Sequence, residues 1–180
     1  NTCQYCAIVL PAGALTLGVE WFRSRQPTCM GTLYWQLNDC WPGVTSWSCI
    51  DGDGRFKPLW YATRKFLAAR LLTIQPEEDG SLWLHLINDS DEAAAETVLV
   101  ARRAFDGTIL AEQELKLESA PRSTTKAMLK RSIAQPEDPA DELISAGAPA
   151  ATFWFFDFDR NLRYPQAEFD ASIERRGDEH

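Results

Sequence analysis

The run CMGTLYWQL at residues 29–37, followed directly by NDCWP at 38–42, decides how the first part of the chain folds. It is short, apolar and aromatic, bounded by Pro27 before it and Asn38-Asp39 after it, and it reads as a buried strand. Upstream, Ala12 to Arg25 carries Leu15, Val19 and Phe22 at helical spacing, with polar Thr16, Glu20 and Arg23 between them. That pattern predicts a helix that begins after Pro11 and ends before Pro27. Downstream, residues 38–57 are loop-like, with Trp41-Pro42 and an Asp-Gly pair at both 51–52 and 53–54. Pro58 then opens a second helix as a first-turn proline. Its apolar stripe is Leu59, Ala62, Phe66 and Leu67, with Arg64 and Lys65 facing out. Helix, buried strand, long loop, helix is the order of the last part of an α/β barrel.

After residue 70 the period changes to two. Leu82, Leu84 and Leu86 alternate with Trp83 and His85; Val98 and Val100 alternate with Leu99 and Ala101; Leu115 and Leu117 alternate with Glu114, Lys116 and Glu118. Turn signals fall between these runs at Asp79-Gly80, Asn88-Asp89, Asp106-Gly107 and Pro121. Short alternating strands with turns at such intervals predict an antiparallel sandwich over 71–150. His85 reads as an exposed sheet residue. Residues 132–149 read as a loop with one helical turn at Ala140–Ser145. Ala151–Phe158 (ATFWFFDF) reads as an apolar strand, and the start of a further, truncated β domain is expected over 151–180.

Composition sets the outer bounds. The chain has 180 residues and a net charge of -8. That charge argues against nucleic acid as the main partner, because phosphate binding needs a surplus of Lys and Arg. No apolar run is long enough to cross a bilayer, and no basic patch precedes an apolar stretch as in a secretory signal. The chain begins with Asn1 and not Met, as a piece of a longer polypeptide would. Charge is uneven: seven Lys/Arg stand against four Asp/Glu in residues 1–70, and eleven against twenty-two in 71–180, which puts a boundary near 70. All five cysteines (Cys3, Cys6, Cys29, Cys40, Cys49) lie before it. An odd, bunched set is a poor disulfide framework, and it points to reduced thiols in a cytoplasmic protein. Cys3-x-x-Cys6 has no second pair, and the histidines are His85 and His180, so neither a metal nor a redox centre is expected.

The densest chemistry is Tyr34-Trp-Gln-Leu-Asn-Asp-Cys-Trp-Pro42, where the expected strand gives way to the loop. In an α/β barrel the active site forms at such strand ends. Indole faces cover the apolar face of a sugar ring, and Asn, Asp and Gln hydrogen-bond its hydroxyls. The competing reading makes Trp35 and Trp41 core residues and Asn38-Asp39 a turn cap.

The stretch Met30 to Pro42, with Ser46-Trp-Ser48, Ile50-Asp51 and Gly54-Arg-Phe-Lys-Pro-Leu-Trp-Tyr61, closely resembles the β-mannosidases of glycoside hydrolase family 2. Glu20-Trp-Phe-Arg23 resembles the family's Glu-x-x-Arg helix. The resemblance is specific from 20 to 67 and mainly architectural after 80. It implies that residues 1–70 are the C-terminal end of a (β/α)8 catalytic barrel, residues 71–150 an immunoglobulin-like β-sandwich, and 151–180 the approach to another domain. Trp35 matches the tryptophan that floors the subsite of the cleaved sugar. Asn38 and Asp39 match the pocket rim, either touching sugar or bracing the loop, with bracing favoured for Asn38. Trp41 and Trp47 match loop tryptophans that wall the site or pack beneath it, with packing favoured for Trp47. The implied substrate-binding set is Trp35, Asn38, Asp39 and Trp41.

The resemblance also implies a retaining mechanism with two carboxyl groups about 5 Å apart. Both are glutamates in this family, and both lie upstream of the matched segment; Glu20 matches only the structural Glu-x-x-Arg. Cys3, Cys6 and Pro11 depart from the Gln/Ala-rich run that leads into that helix. The expected function is therefore a β-mannosidase-type glycosidase releasing β-linked mannose from non-reducing ends. This chain by itself would be catalytically incomplete, and no cofactor is needed. Expected partners are a β-mannoside oligosaccharide or glycan and the upstream part of the same polypeptide, with no nucleic acid and no membrane. The alternative is a non-catalytic carbohydrate-binding or structural sandwich carrying a barrel remnant. β-Galactosidases and β-glucuronidases have differently worded strand motifs. One strand with two helices cannot close a barrel, so residues 1–70 are not expected to be stable alone.

Overall fold

The computed structural model describes residues 2–43, 45–147 and 152–166. Helix α1 covers Thr2–Ser24 and helix α2 Pro58–Phe66. Then follow strands β1 (Arg70–Pro76), β2 (Leu82–Asn88), β3 (Ala94–Ala104), β4 (Ile109–Ser119) and β5 (Ser123–Met128), a helical turn α3 (Arg131–Ala134), and strands β6 (Glu142–Ala146) and β7 (Thr152–Phe155). Two antiparallel sheets result, one ordered β1-β2-β5 and the other β4-β3-β6-β7.

The expected sandwich is present, and the turn signals fall where strands reverse. Gly80 and Gly107 take φ of 80° and 93°, a conformation glycine adopts without steric penalty, between β1 and β2 and between β3 and β4. The sheets face each other through Leu72, Ile74, Leu84 and Leu86 on one side and Val98, Val100, Leu117 and Ile144 on the other. Each such side chain contributes about 1.5–3 kcal/mol by leaving water. Edge strand β4 turns Glu112, Glu114, Lys116 and Glu118 to solvent. That alternation carries a net of -2 of the acidic surplus read from the sequence.

Six expectations need correction, four in the chain path and two in the burial of single residues. The run 140–145 is not a helical turn: β6 pairs with β3 on one side and β7 on the other. Its charged residue, Glu142, is 4% exposed and bonds Arg102 at 2.5 Å. With an ion pair satisfied inside, a central strand need not show polar–apolar alternation. The apolar strand at the C-terminal end joins this same sheet through β6, so as far as Phe155 it extends the sandwich and does not open a further β domain. Residues 167–180, the rest of that expected domain, lie outside the described residues. Helix α1 runs through Pro11, because one missing i→i−4 bond leaves the turns on either side intact.

The last correction to the chain path concerns 29–37. No ladder forms there, and Leu33 is 99% exposed while Tyr34 points inward. The segment is extended but not a buried strand. Among the described residues it has no neighbouring strand to supply hydrogen bonds, and apolar pattern alone cannot replace them.

Helix α1 lies on the outer face of the three-stranded sheet. Its last turns bury Val19, Glu20, Arg23 and Ser24. Thr73 donates to the Glu20 carboxylate at 2.6 Å, and Arg25 pairs with Glu77 at 3.0 Å. This cover explains why His85, expected at the surface, is 1% exposed. In α2, Leu59, Thr63 and Phe66 form the buried stripe, whereas Leu67 caps the helix and is half exposed.

Two measurements test these packing arguments. Arg102→Met should leave Glu142 charged, buried and unpaired, lowering the unfolding free energy by about 3–5 kcal/mol in urea denaturation. Burial, reinforced by Lys126 and Arg25, lowers the His85 pKa from 6.5 to about 4. The native state therefore resists a proton that the unfolded chain accepts, and His85 makes stability fall between pH 6.5 and 4. Burial raises the pKa of Glu20, which acts in the opposite direction, its contribution being lost as pH rises. In His85→Leu, the loss of Tm from pH 6.5 to 4 should be smaller than in the wild type.

Candidate functional site

The loop after Leu37 makes three passes held by backbone bonds. The Leu37 carbonyl accepts from the N–H groups of Cys49 and Ile50, both at 3.0 Å. Asp39 N–H donates to Ile50 at 2.9 Å, and Lys57 N–H donates to Cys49 at 2.9 Å. Isolated bridges join Asn38 to Ile50 and Ile50 to Phe56. The loop is thus a small folded unit, seated on Val19, Cys49, Leu59 and Phe66. Tyr34 closes it from below, with its hydroxyl 2.9 Å from Cys49 Sγ. Burial, then that contact, raises the Tyr34 pKa. Gly52 is required by a close approach: a Cβ there would lie 2.9 Å from the Trp41 carbonyl.

The predicted site residues divide into two groups. Trp35 and Trp41 are 76% and 72% exposed, so neither is a core residue. Trp47, for which packing was favoured, is also exposed. Asn38 is exposed and donates to the Asp39 carbonyl at 3.1 Å. Asp39 is different. Its Oδ2 accepts from Lys57 Nζ at 2.8 Å and its Oδ1 from Ser46 Oγ at 2.5 Å. Lys57 Nζ also donates to Ser48 Oγ at 2.7 Å, and Ser48 Oγ donates to the Ile50 carbonyl at 3.0 Å. The Lys57 and Ser46 bonds hold the Asp39 pKa down at about 2, so it is a carboxylate under all ordinary conditions. Ser46, Ser48 and Lys57 belong to the stretches that carry the resemblance, but no site role is read for them from sequence; a lysine beside the helix-opening Pro58 gives no sign of reaching back to Asp39.

The structure does not gather Trp35, Asn38, Asp39 and Trp41 into an enclosed pocket. Among the described residues, no ring pairing joins Trp35, Trp41 and Trp47; the pairing near them is Phe56 on Trp60, with centroids 4.6 Å apart. A cavity of about 510 Å³ lies elsewhere, lined by Leu17 and by side chains between 153 and 164. No His/Cys/Asp/Glu cluster able to hold a metal occurs among the described residues. Cys29, Cys40 and Cys49 are free thiols. The side chains of Cys3 and Cys6 lie outside the described residues. No helix among the described residues is long and apolar enough to cross a membrane. Glu20, the single glutamate before residue 70, is buried and bonded to Thr73.

No family model matches the chain. Among solved structures it is similar to a β-D-mannosidase from Dictyoglomus thermophilum, with a TM-score of 0.72 and 26% identity, over 86% of this chain and 19% of that one. It shares a fold with the exo-chitosanase CsxA of Amycolatopsis orientalis, with a TM-score of 0.56 and 17% identity, over 76% of this chain and 16% of that one. The fold and the aromatic loop thus relate the chain to the glycosidases.

The sequence narrows this relationship to the β-mannosidases. The chain is 40% identical over 92 residues to the β-mannosidase of Mus musculus, covering 47% of this chain and 10% of that protein. It is 38% identical over 70 residues to β-mannosidase B of Aspergillus niger, covering 37% of this chain and 8% of that protein. By sequence and by fold the chain is similar to a segment of a β-mannosidase, and its matched region spans about a tenth of these relatives.

The close approach at Gly52 gives a direct test of the loop. Gly52→Ala should force residues 41–42 and 52 apart and destabilise the loop by about 1–3 kcal/mol. Iodide quenching of tryptophan fluorescence should change accordingly; an unchanged quenching curve and Tm would contradict the described packing.

Proposed function

We propose that this chain is a C-terminal part of a glycosidase of the β-mannosidase type, in glycoside hydrolase family 2, acting on β-linked mannose at non-reducing ends of oligosaccharides or glycans. In this reading residues 1–70 end a (β/α)8 catalytic barrel, the sandwich from 71 follows it, and the upstream part of the same polypeptide completes the barrel. The observation that carries it is the outward stance of Trp35 and Trp41 on a tightly bonded loop. A solvent-facing indole has no packing role in the chain and is suited to a sugar face. The likeness to β-mannosidases supports the choice of substrate.

The roles in this reading are those the family resemblance implies. Trp35 floors the subsite of the cleaved sugar, Trp41 walls it, and Asn38 stands at its rim. Asp39 belongs to the same rim and acts from behind it, since both its oxygens are engaged. The retaining reaction needs a nucleophile and an acid/base about 5 Å apart. Glu20 serves as neither, being held inside the α1–sheet contact, so both carboxyl groups come from upstream and this chain is inactive alone. Free thiols at Cys29, Cys40 and Cys49 suit a reducing, cytoplasmic location.

The test uses the complete polypeptide and an aryl β-mannoside. Trp35→Ala should lower kcat/KM by about 100-fold or more with Tm unchanged. Activity within about threefold of wild type would remove Trp35 from the subsite. If the complete protein hydrolyses no β-mannoside but binds mannan oligosaccharides, the non-catalytic module is the correct reading.

A further inference from the structure

We propose that Lys57 is a positioning residue of the sugar subsite, acting through Asp39, Ser46 and Ser48 to fix the stance of Trp35, Trp41 and Trp47. The proposal rests on the reading above, and it identifies what sets the geometry of that site. Lys57 lies on the third pass of the loop, one residue before α2. Its ammonium reaches Asp39 on the first pass at 2.8 Å and Ser48 on the second at 2.7 Å. Asp39 in turn holds Ser46. One cation therefore closes all three passes.

The exposed tryptophans are attached at these closure points. Trp47 stands between Ser46 and Ser48, the two residues the staple grips. Trp41 follows Asp39 by two positions. Trp35 precedes Leu37, whose carbonyl is held by the N–H groups of Cys49 and Ile50, next to Ser48. None of the three indoles has a stacking partner among the described residues that could hold it in place. Their direction follows the backbone, which the loop's own hydrogen bonds and the staple hold together.

The ion pair is poorly suited to any other task. The Lys57 and Asp39 side chains are only 14% and 7% exposed, so neither is free to meet a ligand from solvent. A pair so far removed from water recovers little net stability over an apolar pair of the same size; its established use elsewhere is to specify one geometry. A displacement of about 1 Å in a substrate-positioning group can reduce rate by about 100-fold, so a loop that presents a sugar platform needs such a device.

The experiment uses the complete polypeptide with an aryl β-mannoside, well below Tm, with folding verified by circular dichroism. Lys57→Met should lower kcat/KM by about 10- to 100-fold. Lys57→Arg, which keeps the cation, should return it to within about threefold. Asp39→Asn should fall with Lys57→Met, and the double variant should be no worse than either single one, because all three break the same staple. Ser48→Ala removes one bond only and keeps the proposal testable if Lys57→Met fails to fold; about a threefold to tenfold loss is expected. A folded Lys57→Met, or in its place Ser48→Ala, with wild-type kcat/KM overturns the proposal, as does a loss that Lys57→Arg does not restore. If Trp35→Ala reduces activity while Lys57→Met does not, the sugar-site reading stands and the staple alone fails. If Trp35→Ala has no effect, both fail.

Discussion

The guanidinium of Arg23 is the joint on which the arrangement depends. It donates to the carbonyls of Phe66 and Ala68 and pairs with Asp89 at 2.6 Å. One buried cation thus meets the end of α2, the start of the sandwich and the turn after β2. Carbonyls at a helix C-terminus lack intrahelical partners, and a cation answers both their hydrogen bonding and the local negative dipole. Because Arg23 is rooted in α1, satisfying those groups also seats α1 on the three-stranded sheet. The loop rests in its turn on α1 and α2 through Val19, Leu59 and Phe66. The position of the tryptophans is therefore fixed from the sandwich upward through Arg23.

Features with local causes were legible in the sequence. Pro58 opens α2 because its fixed φ suits a first helical turn. Asp79-Gly80 and Asp106-Gly107 turn the chain because their glycines accept positive φ. The leucines of β2 alternate because one of its faces meets a single core. What was not legible depends on distant partners. Glu142 looks like a loop residue until Arg102, forty positions earlier, is placed beside it. His85 alternates as an exposed residue should, and only the docking of α1 buries it. Residues 29–37 have the composition of a strand but lack a strand to pair with.

The candidate site shows the same division. By residue type alone Trp35 and Trp41 read either as core residues or as a sugar-facing pair, and their exposure removes the first of these readings for the described chain. For Asp39 the sequence left touching sugar and bracing the loop both open; the partner that makes it a brace was not legible, because Lys57 approaches it from eighteen residues away. A pattern of residues reports what a loop presents. The bonds that hold the loop in one shape come from tertiary contact.

The surface carries two unlike features, the charged edge of β4 and the exposed side chains of the loop. One sheet edge carries Glu112, Glu114 and Glu118 with a lone Lys116 among them, and repels other strand edges. The opposite character belongs to Leu33, Trp35, Trp41 and Trp47, which are exposed among the described residues. Salt acts on the two in opposite senses: it screens the acidic edge and, with strongly hydrated anions, favours burial of the indoles. Raising the concentration of such a salt therefore removes the repulsion of the β4 edge while increasing the adhesiveness of the exposed indoles.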